Sequence, residues 1–304
     1  CAMKKWNRRE VIAAGAALGI IPGIGVGDDA MMLAKAIPAS GETLPVICLG
    51  TYSVFDVENT PDEIALRSGI VDKLIDAGGS LLDTSPMYKR SEKVIGDVIK
   101  AGANRDDLFL ATKVWTDGKE AGARQMQRSA DLMNTDVIDL MQVHNLRDTA
   151  VHMDTIRQLQ DDGRIRYNGL THYTAGAHEA LMRAMQEFKP QFIQINYSLG
   201  EREAEQRVLP MAQDMGIAVL INRPYQAGRL FSVVRGRELP TFAADFAASW
   251  GQFFLKFIVS HPAVSCVIPA TSKLHHMVDN LGAGFGKMPD PSMRKRMAEY
   301  FANL

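Results

Sequence analysis

From residue 46 onward the chain alternates short apolar runs with longer stretches that place apolar residues every three or four positions. The runs cover 46–50, 80–83, 108–114, 138–144, 165–171, 192–197, 218–222 and 265–269. Each is of strand length and nearly continuously apolar, the pattern of a parallel strand buried on both faces. The stretches between them carry helix signals. In TPDEIALRSGIVDKLIDAGG, residues 60–79, Thr60 and Glu63 spell a capping box, Pro61 opens the first turn and Gly78-Gly79 stops the helix. Eight strands, each followed by a helix, predict an α/β fold, a (β/α)8 TIM barrel built as a single domain. The helix after the seventh strand is expected late, over 241–260, which leaves 223–240 as a long loop on the functional face. One last helix is expected from Asp290.

Residues 1–36 follow a different rule. Arg8-Arg9 precede a weakly apolar Ala/Gly-rich run over 11–26, and Ala34-Lys35-Ala36 supplies an A-x-A cleavage triplet before Ile37. Basic, then apolar, then small is the order of an export signal, and the paired arginines point to the twin-arginine export machinery. The expectation is a signal over 1–36, a barrel over 37–304 and a periplasmic location; without the signal the location is cytoplasmic. The run is too short to span a bilayer comfortably. GIGVG, residues 23–27, imitates a dinucleotide fingerprint but follows signal-like sequence and runs into Asp28-Asp29, so it is rejected as a phosphate loop.

Composition narrows the class only a little. With 304 residues, 46% hydrophobic and 23% charged, the chain reads as an ordinary globular protein. A net charge of −1 gives no basic surface for nucleic acid. Three cysteines are too few for a disulfide framework, and Cys48 and Cys266 sit in apolar runs as buried thiols.

The chemistry lies in the polar residue that closes each run: Asp83, Lys113, His144, Thr171-His172, Gln194 and Asn222-Arg223. In a parallel barrel these ends meet at one mouth. Asp83, Lys113 and His144 are spaced by one strand–helix unit each, so their side chains converge. A buried lysine needs a carboxylate nearby, which Asp83 supplies. Tyr88, five residues past Asp83, is then expected beside a positive charge that lowers its pKa and suits it as a proton donor, with His144 giving a second hydrogen bond to the same oxygen. The set fits reduction of a carbonyl group by hydride.

The segments LPVICLGTY, LLDTSPMYKRSEKVIG, LFLATKV, DLMQVHN, GRIRYNGLTHY, FIQINYSL, GIAVLINRPYQAGRL and VIPATSKLHHMVDNLGA occur in this order and together resemble the aldo-keto reductases, over about residues 44–283. The resemblance implies an NADPH-dependent aldehyde or ketone reductase, NADH being the lesser option. Asp83, Tyr88, Lys113 and His144 match the family's catalytic tetrad, with Tyr88 as general acid. Gln194 matches the residue that holds the nicotinamide carboxamide. Gly50, Thr51 and Tyr52 after the first strand, Thr171 and His172 after the fifth, and Asn222, Arg223, Pro224, Gln226 and Gly228 after the seventh fall at cofactor positions. Thr271, Ser272, Lys273 and His276 match the segment for the 2′-phosphate, and Asp279 and Asn280 suit the adenine amine. Phe55 and Trp115 are expected in the substrate pocket, beside a mouth that little C-terminal sequence remains to cover. The chain departs from the family in having Thr171-His172 for Ser-Asn, Asn222 for an aromatic ring stacking on the nicotinamide, and Arg223 for a small residue. Arg223 is expected to reach the pyrophosphate or a substrate carboxylate.

Two other readings stand beside this one. A nucleotide-binding redox sensor or partner protein on the same barrel would turn over little, and Asn222 favours it. A metal-dependent hydrolase using His144 and His172 would need a tight carboxylate–histidine cluster and no lysine at the third strand end. Short-chain dehydrogenase chemistry is excluded, because neither Tyr88 nor Tyr167 has a lysine four residues later.

Overall fold

The computed structural model describes residues 31–304. An antiparallel hairpin comes first, β1 (Ala34–Ala36) and β2 (Thr43–Pro45). Eight parallel strands follow: β3 (Leu49–Gly50), β4 (Leu81–Asp83), β5 (Phe109–Val114), β6 (Ile138–His144), β7 (Ile165–Thr171), β8 (Phe192–Asn196), β9 (Ala218–Asn222) and β10 (Cys266–Val267). Each pairs with the next in chain order, and parallel bridges Ile47–Val267 and Gly50–Ala270 join the first strand to the last. The closing approach is tight: a Cβ on Gly50 would stand 2.7 Å from the Ile268 carbonyl oxygen. The sheet is therefore a barrel, and its strands fall on the runs read from the sequence.

Helices separate the strands: α1 (Pro61–Asp76), α2 (Ser91–Lys100), α3 (Lys119–Met133), α4 (Thr149–Asp161), α5 (His178–Phe188) and α6 (Val208–Asp214) follow β3 to β8 in turn. After β9 come a short α7 (Arg229–Val233) and then α8 (Trp250–Val259); α9 (Leu274–Gly282) follows β10, and α10 (Pro291–Ala302) closes the chain. The helix expected over 241–260 begins only at Trp250, because Ser249 Oγ accepts from the Gln252 N–H at 3.0 Å and fixes the start there. At α1 only half of the capping box forms. Thr60 Oγ1 accepts from the Glu63 N–H, but the Glu63 carboxylate turns to the buried Arg67 at 2.6 Å. Asp290 caps α10 as expected, accepting from the Met293 N–H at 2.8 Å.

Strand alternation divides the core. One set of positions packs outward against the helices. The other fills the barrel's lower interior with Cys48, Leu81, Phe109, Leu140, Tyr167, Phe192, Leu220 and Cys266. Burying a side chain such as Phe192 completely contributes about 1.5–3 kcal/mol, and Tyr167 packs edge-on to it at 5.3 Å. Ile37 and Leu44 of the hairpin belong to the same cluster and stopper this end. Glu42 in the hairpin turn accepts from the Tyr167 hydroxyl at 2.7 Å and pairs with Arg166.

Arg8-Arg9, the apolar run over 11–26 and the GIGVG glycines lie outside the described residues. The triplet expected as a cleavage site lies inside them, as strand β1. Its alternation exposes both alanines and turns Lys35 inward, where Nζ donates to the carbonyls of Val259, His261 and Val264 at 2.8, 2.9 and 2.6 Å. Burial lowers the Lys35 pKa to about 8. A cut after Ala36 would delete this strand and all three bonds. Among the described residues no helix is long and apolar enough to cross a membrane.

Candidate active site

The barrel's upper interior is polar. Continuing the inward alternation of each strand brings up Asp83 from β4, Lys113 from β5, Gln142 and His144 from β6, Thr171 from β7, Gln194 from β8 and Asn222 from β9. Register places Lys113 opposite Gln142, and His144, Thr171 and Gln194 in one row. Lys113 has no exposed surface and Asp83 is 2% exposed, so each needs its partners. Lys113 Nζ donates to both Asp83 oxygens at 3.0 and 2.8 Å and to the Thr84 carbonyl at 2.6 Å. Gln194 Nε2 and Gln142 Nε2 add donors to Asp83 Oδ1 at 2.7 and 3.3 Å. Burial alone would pull the Lys113 pKa down; Asp83 and Tyr88 more than reverse this, and the ammonium is held above the ordinary lysine value.

Tyr88 stands in the turn after β4, with its N–H on the Ser85 carbonyl at 2.9 Å. Lys113 Nζ lies 5.1 Å from its ring centroid, Tyr52 packs edge-on at 5.1 Å, and the His144 ring is 6.4 Å away. The expectation of a lowered phenol pKa is overturned. Burial raises it by more than the Lys113 charge lowers it, so the net shift is upward. The phenol therefore keeps its proton, which is the state a general acid needs.

His144 is kept neutral. Burial first, then the charges of Lys113 and His172, bring its pKa to about 3. Its Nδ1 lies 3.4 Å from Ser85 Oγ, which itself accepts from the Met87 N–H at 3.2 Å. When Ser85 gives its hydroxyl proton to Nδ1, Nε2 is the protonated nitrogen and a donor toward a ligand.

The cofactor positions divide into those at the mouth and those elsewhere. Thr51 is fixed by its N–H and hydroxyl on the Asp83 carbonyl, both at 3.0 Å. Tyr52 is 66% exposed on the rim. Thr171 Oγ1 donates to Gln194 Oε1 at 3.1 Å. The His172 ring stacks on Tyr173 at 5.5 Å, its Nδ1 accepting from the Tyr173 N–H at 3.0 Å. Arg223 is exposed, has a left-handed backbone at φ 52°, and lies 5.8 Å over the Tyr173 ring. Pro224, Gln226 and Gly228 continue the same loop, Gln226 and Gly228 also at positive φ. Lys273 forms the exposed N-cap of α9, with its N–H on Thr271 Oγ1 at 3.1 Å; Ser272 and His276 flank it.

One expectation needs correction, and three further residues have contacts the sequence did not show. Phe55 is 0% exposed and packs in the core beside Arg67, so it lines no pocket. Asp279 accepts from Ser249 Oγ at 2.8 Å and Gln252 Nε2 at 3.0 Å, and Asn280 accepts from the Tyr225 hydroxyl at 2.6 Å. Both side chains also tie α9 to its neighbours, and the Asn280 amide keeps its N–H donors. The Trp115 ring is half-buried under the Arg147 guanidinium, 4.6 Å from its centroid, which leaves less of it for substrate.

A model of the aldo/keto reductase family matches residues 46–296. The chain belongs to this family. Methylglyoxal reductase YeaE of Escherichia coli (strain K12) is 29% identical over 263 residues, 82% of this chain and 89% of that protein. Glyoxal reductase of Bacillus subtilis (strain 168) is 27% identical over 248 residues, 79% of this chain and 83% of the relative. Among solved structures, an aldo/keto reductase from Klebsiella pneumoniae in complex with NADP and acetate superposes with a TM-score of 0.73 at 25% identity, covering 86% of this chain and 93% of its own. The chain is thus an oxidoreductase that acts on carbonyl groups with a nicotinamide cofactor.

Two contributors to this site escaped the reading of strand ends. Gln142 bonds Asp83, and Ser85 Oγ stands against His144 Nδ1. Gln142 was within reach of the pattern, because stepping back two residues from His144 stays on the inward face. The rim carries a second feature. Of the ten described residues other than glycine at positive φ, all but Asn134 and Lys189 sit in loops at the catalytic mouth: Ser53, Lys89, Asn145, Leu146, Asp148, Arg223, Gln226 and Ala227.

Proposed function

We propose that this chain reduces small carbonyl compounds, 2-oxoaldehydes foremost, with NADPH, and that Tyr88 delivers the proton. The observation that carries this reading is the gathering of Tyr88, Lys113, Asp83 and His144 at one mouth, with Lys113 fixed by Asp83 at 2.8 Å. The relatives named for methylglyoxal and glyoxal support the substrate class, and neighbours solved with NADP or NADPH support the cofactor. Lys273 at the start of α9 adds a cation to a helix N-terminus, a combination suited to a 2′-phosphate.

When bound, the nicotinamide supplies the hydride to the carbonyl carbon. The chain's own residues handle the oxygen. Neutral His144 donates from Nε2 and polarises the carbonyl. Tyr88 gives its proton to the oxygen as negative charge develops there. Lys113, anchored by Asp83, stabilises the phenolate that remains. The carbon gains a hydride and the oxygen a proton, which balances the reduction to an alcohol.

The test is turnover of methylglyoxal, phenylglyoxal and an aromatic aldehyde by purified protein, with NADPH and NADH side by side and pH varied. Tyr88 acts protonated and its pKa is raised above 10, so activity is full below that value and falls as pH rises past it. His144 donates as the neutral ring with a pKa of about 3, so no limb arises near the ordinary histidine value. The expected kcat/KM for reduction is flat from about pH 4 to about pH 9, and higher with NADPH. No turnover with any pair would sink the proposal, and a limb near pH 6.5 would remove His144 from its assigned role.

We also propose that the chain is exported by the twin-arginine route to the periplasm, already folded around its nucleotide. The order Arg8-Arg9 and then an apolar run supports this. Because β1 is part of the fold, the reading places any processing upstream of Ala34. Cell fractionation of wild type against the Arg8→Lys/Arg9→Lys variant checks it: periplasmic protein is expected only in the wild type, and identical distributions discard the route.

A further inference from the structure

At the usual ring position after the seventh barrel strand, this chain has an amide whose orientation its neighbours fix. Asn222 Nδ2 donates to the His172 carbonyl at 3.2 Å and reaches Gln194 Oε1 at 3.5 Å. Gln194 is held at both ends of its amide: its Nε2 serves Asp83 at 2.7 Å, and its Oε1 takes Thr171 at 3.1 Å and Asn222 at 3.5 Å, which fills the oxygen's two lone pairs. The residue expected to hold the nicotinamide carboxamide thus has no acceptor left for that group's NH2. The other end of Asn222 is left over: Oδ1 is buried and has no hydrogen-bond partner among the described residues. It is an acceptor on the inward face of β9, two residues along the strand from Leu220, which pairs with Gln194 in the row of His144 and Thr171. A buried acceptor without a partner is unfavourable, and is explained when a donor arrives with a ligand.

We propose that Asn222 Oδ1 accepts a hydrogen bond from the carboxamide NH2 of the nicotinamide, so that this chain grips the ring by its edge where relatives press on its face. The inference rests on the nicotinamide-dependent reading above and goes beyond it by naming the atom. It also gives Asn222 an active part, which removes the one sequence feature that favoured a barrel with little turnover.

Three probes test it by direct binding, without turnover: NADP+, its 3-acetylpyridine analogue in which a methyl replaces the carboxamide NH2, and adenosine 2′,5′-bisphosphate, which has no nicotinamide. Wild type is expected to bind the acetylpyridine analogue about tenfold more weakly than NADP+, the worth of one hydrogen bond. In Asn222→Leu the two dinucleotides are expected within about twofold of each other, with NADP+ weakened and adenosine 2′,5′-bisphosphate unchanged, which also reports that the variant is folded. Asn222→Ser serves as the second variant should the leucine disturb β9, with the same outcome expected. Equal affinity of wild type for the two dinucleotides overturns the proposal, as does discrimination that survives in both variants. Unchanged NADP+ affinity with a raised substrate KM would place a substrate group on Oδ1 and overturn it too. Wild type that binds none of the three fails the broader reading, a result distinct from all of these.

Discussion

Tyr88→Phe is expected to lower kcat for carbonyl reduction by about 10²–10⁴-fold, the contribution of a positioned general acid. The phenol is the protonated group at the mouth, with burial outweighing the pull of Lys113 on its pKa. Phenylalanine keeps the edge-on packing against Tyr52 and the cation–π contact with Lys113, so the fold and NADPH affinity should hold within about twofold. Single-turnover kinetics separates the two effects. A variant that keeps most of its kcat would take the proton from somewhere else, and Tyr88 would revert to a packing residue.

Lys113→Met is expected to damage stability more than any other change at the mouth. It deletes the ammonium from Asp83, which is 2% exposed and keeps only the Gln194 and Gln142 amides. Breaking a buried pair from one side costs about 3–5 kcal/mol, because the other charge stays buried without its counter-ion. The thermal midpoint should drop by roughly 10 °C. The double variant Lys113→Met/Asp83→Asn removes the orphaned charge and should recover more than half of the loss, though not the activity. Equal midpoints for the single and double variants would mean that the pair's charges are not what holds β4 to β5.

The barrel was legible because both of its signals are local. Runs such as LFLATKV are apolar on both faces, and closing each with a polar residue in phase puts Asp83, Lys113 and His144 at one mouth. What stayed hidden depends on distant partners. The Tyr88 pKa is set by how deeply the turn is buried, which the spacing between Asp83 and Tyr88 does not encode. Phe55 looks like a rim aromatic in sequence, yet it is drawn into the core beside Arg67, itself a surface-type residue taken inside. Asp279 and Asn280 also bond Ser249, Gln252 and Tyr225, partners 27 to 55 positions earlier that no local pattern announces. Lys35 reads as the middle of a small-residue triplet, and only the loop at Val259–Val264 gives it three carbonyls.

Eight mouth residues held in left-handed backbone impose a condition on the whole cylinder. Such conformations persist only where the surroundings dictate them, and here the loop roots are clamped by strands joined in a closed circuit. All four side chains of the proposed catalytic set come from the first half of that circuit, β3 to β6 and their loops. A half-barrel would therefore own every group the chemistry names, yet lose Gln194, the closing bridges and the grip on its own rim. The proposed chemistry thus draws its groups from one half of the ring and its rigidity from the whole.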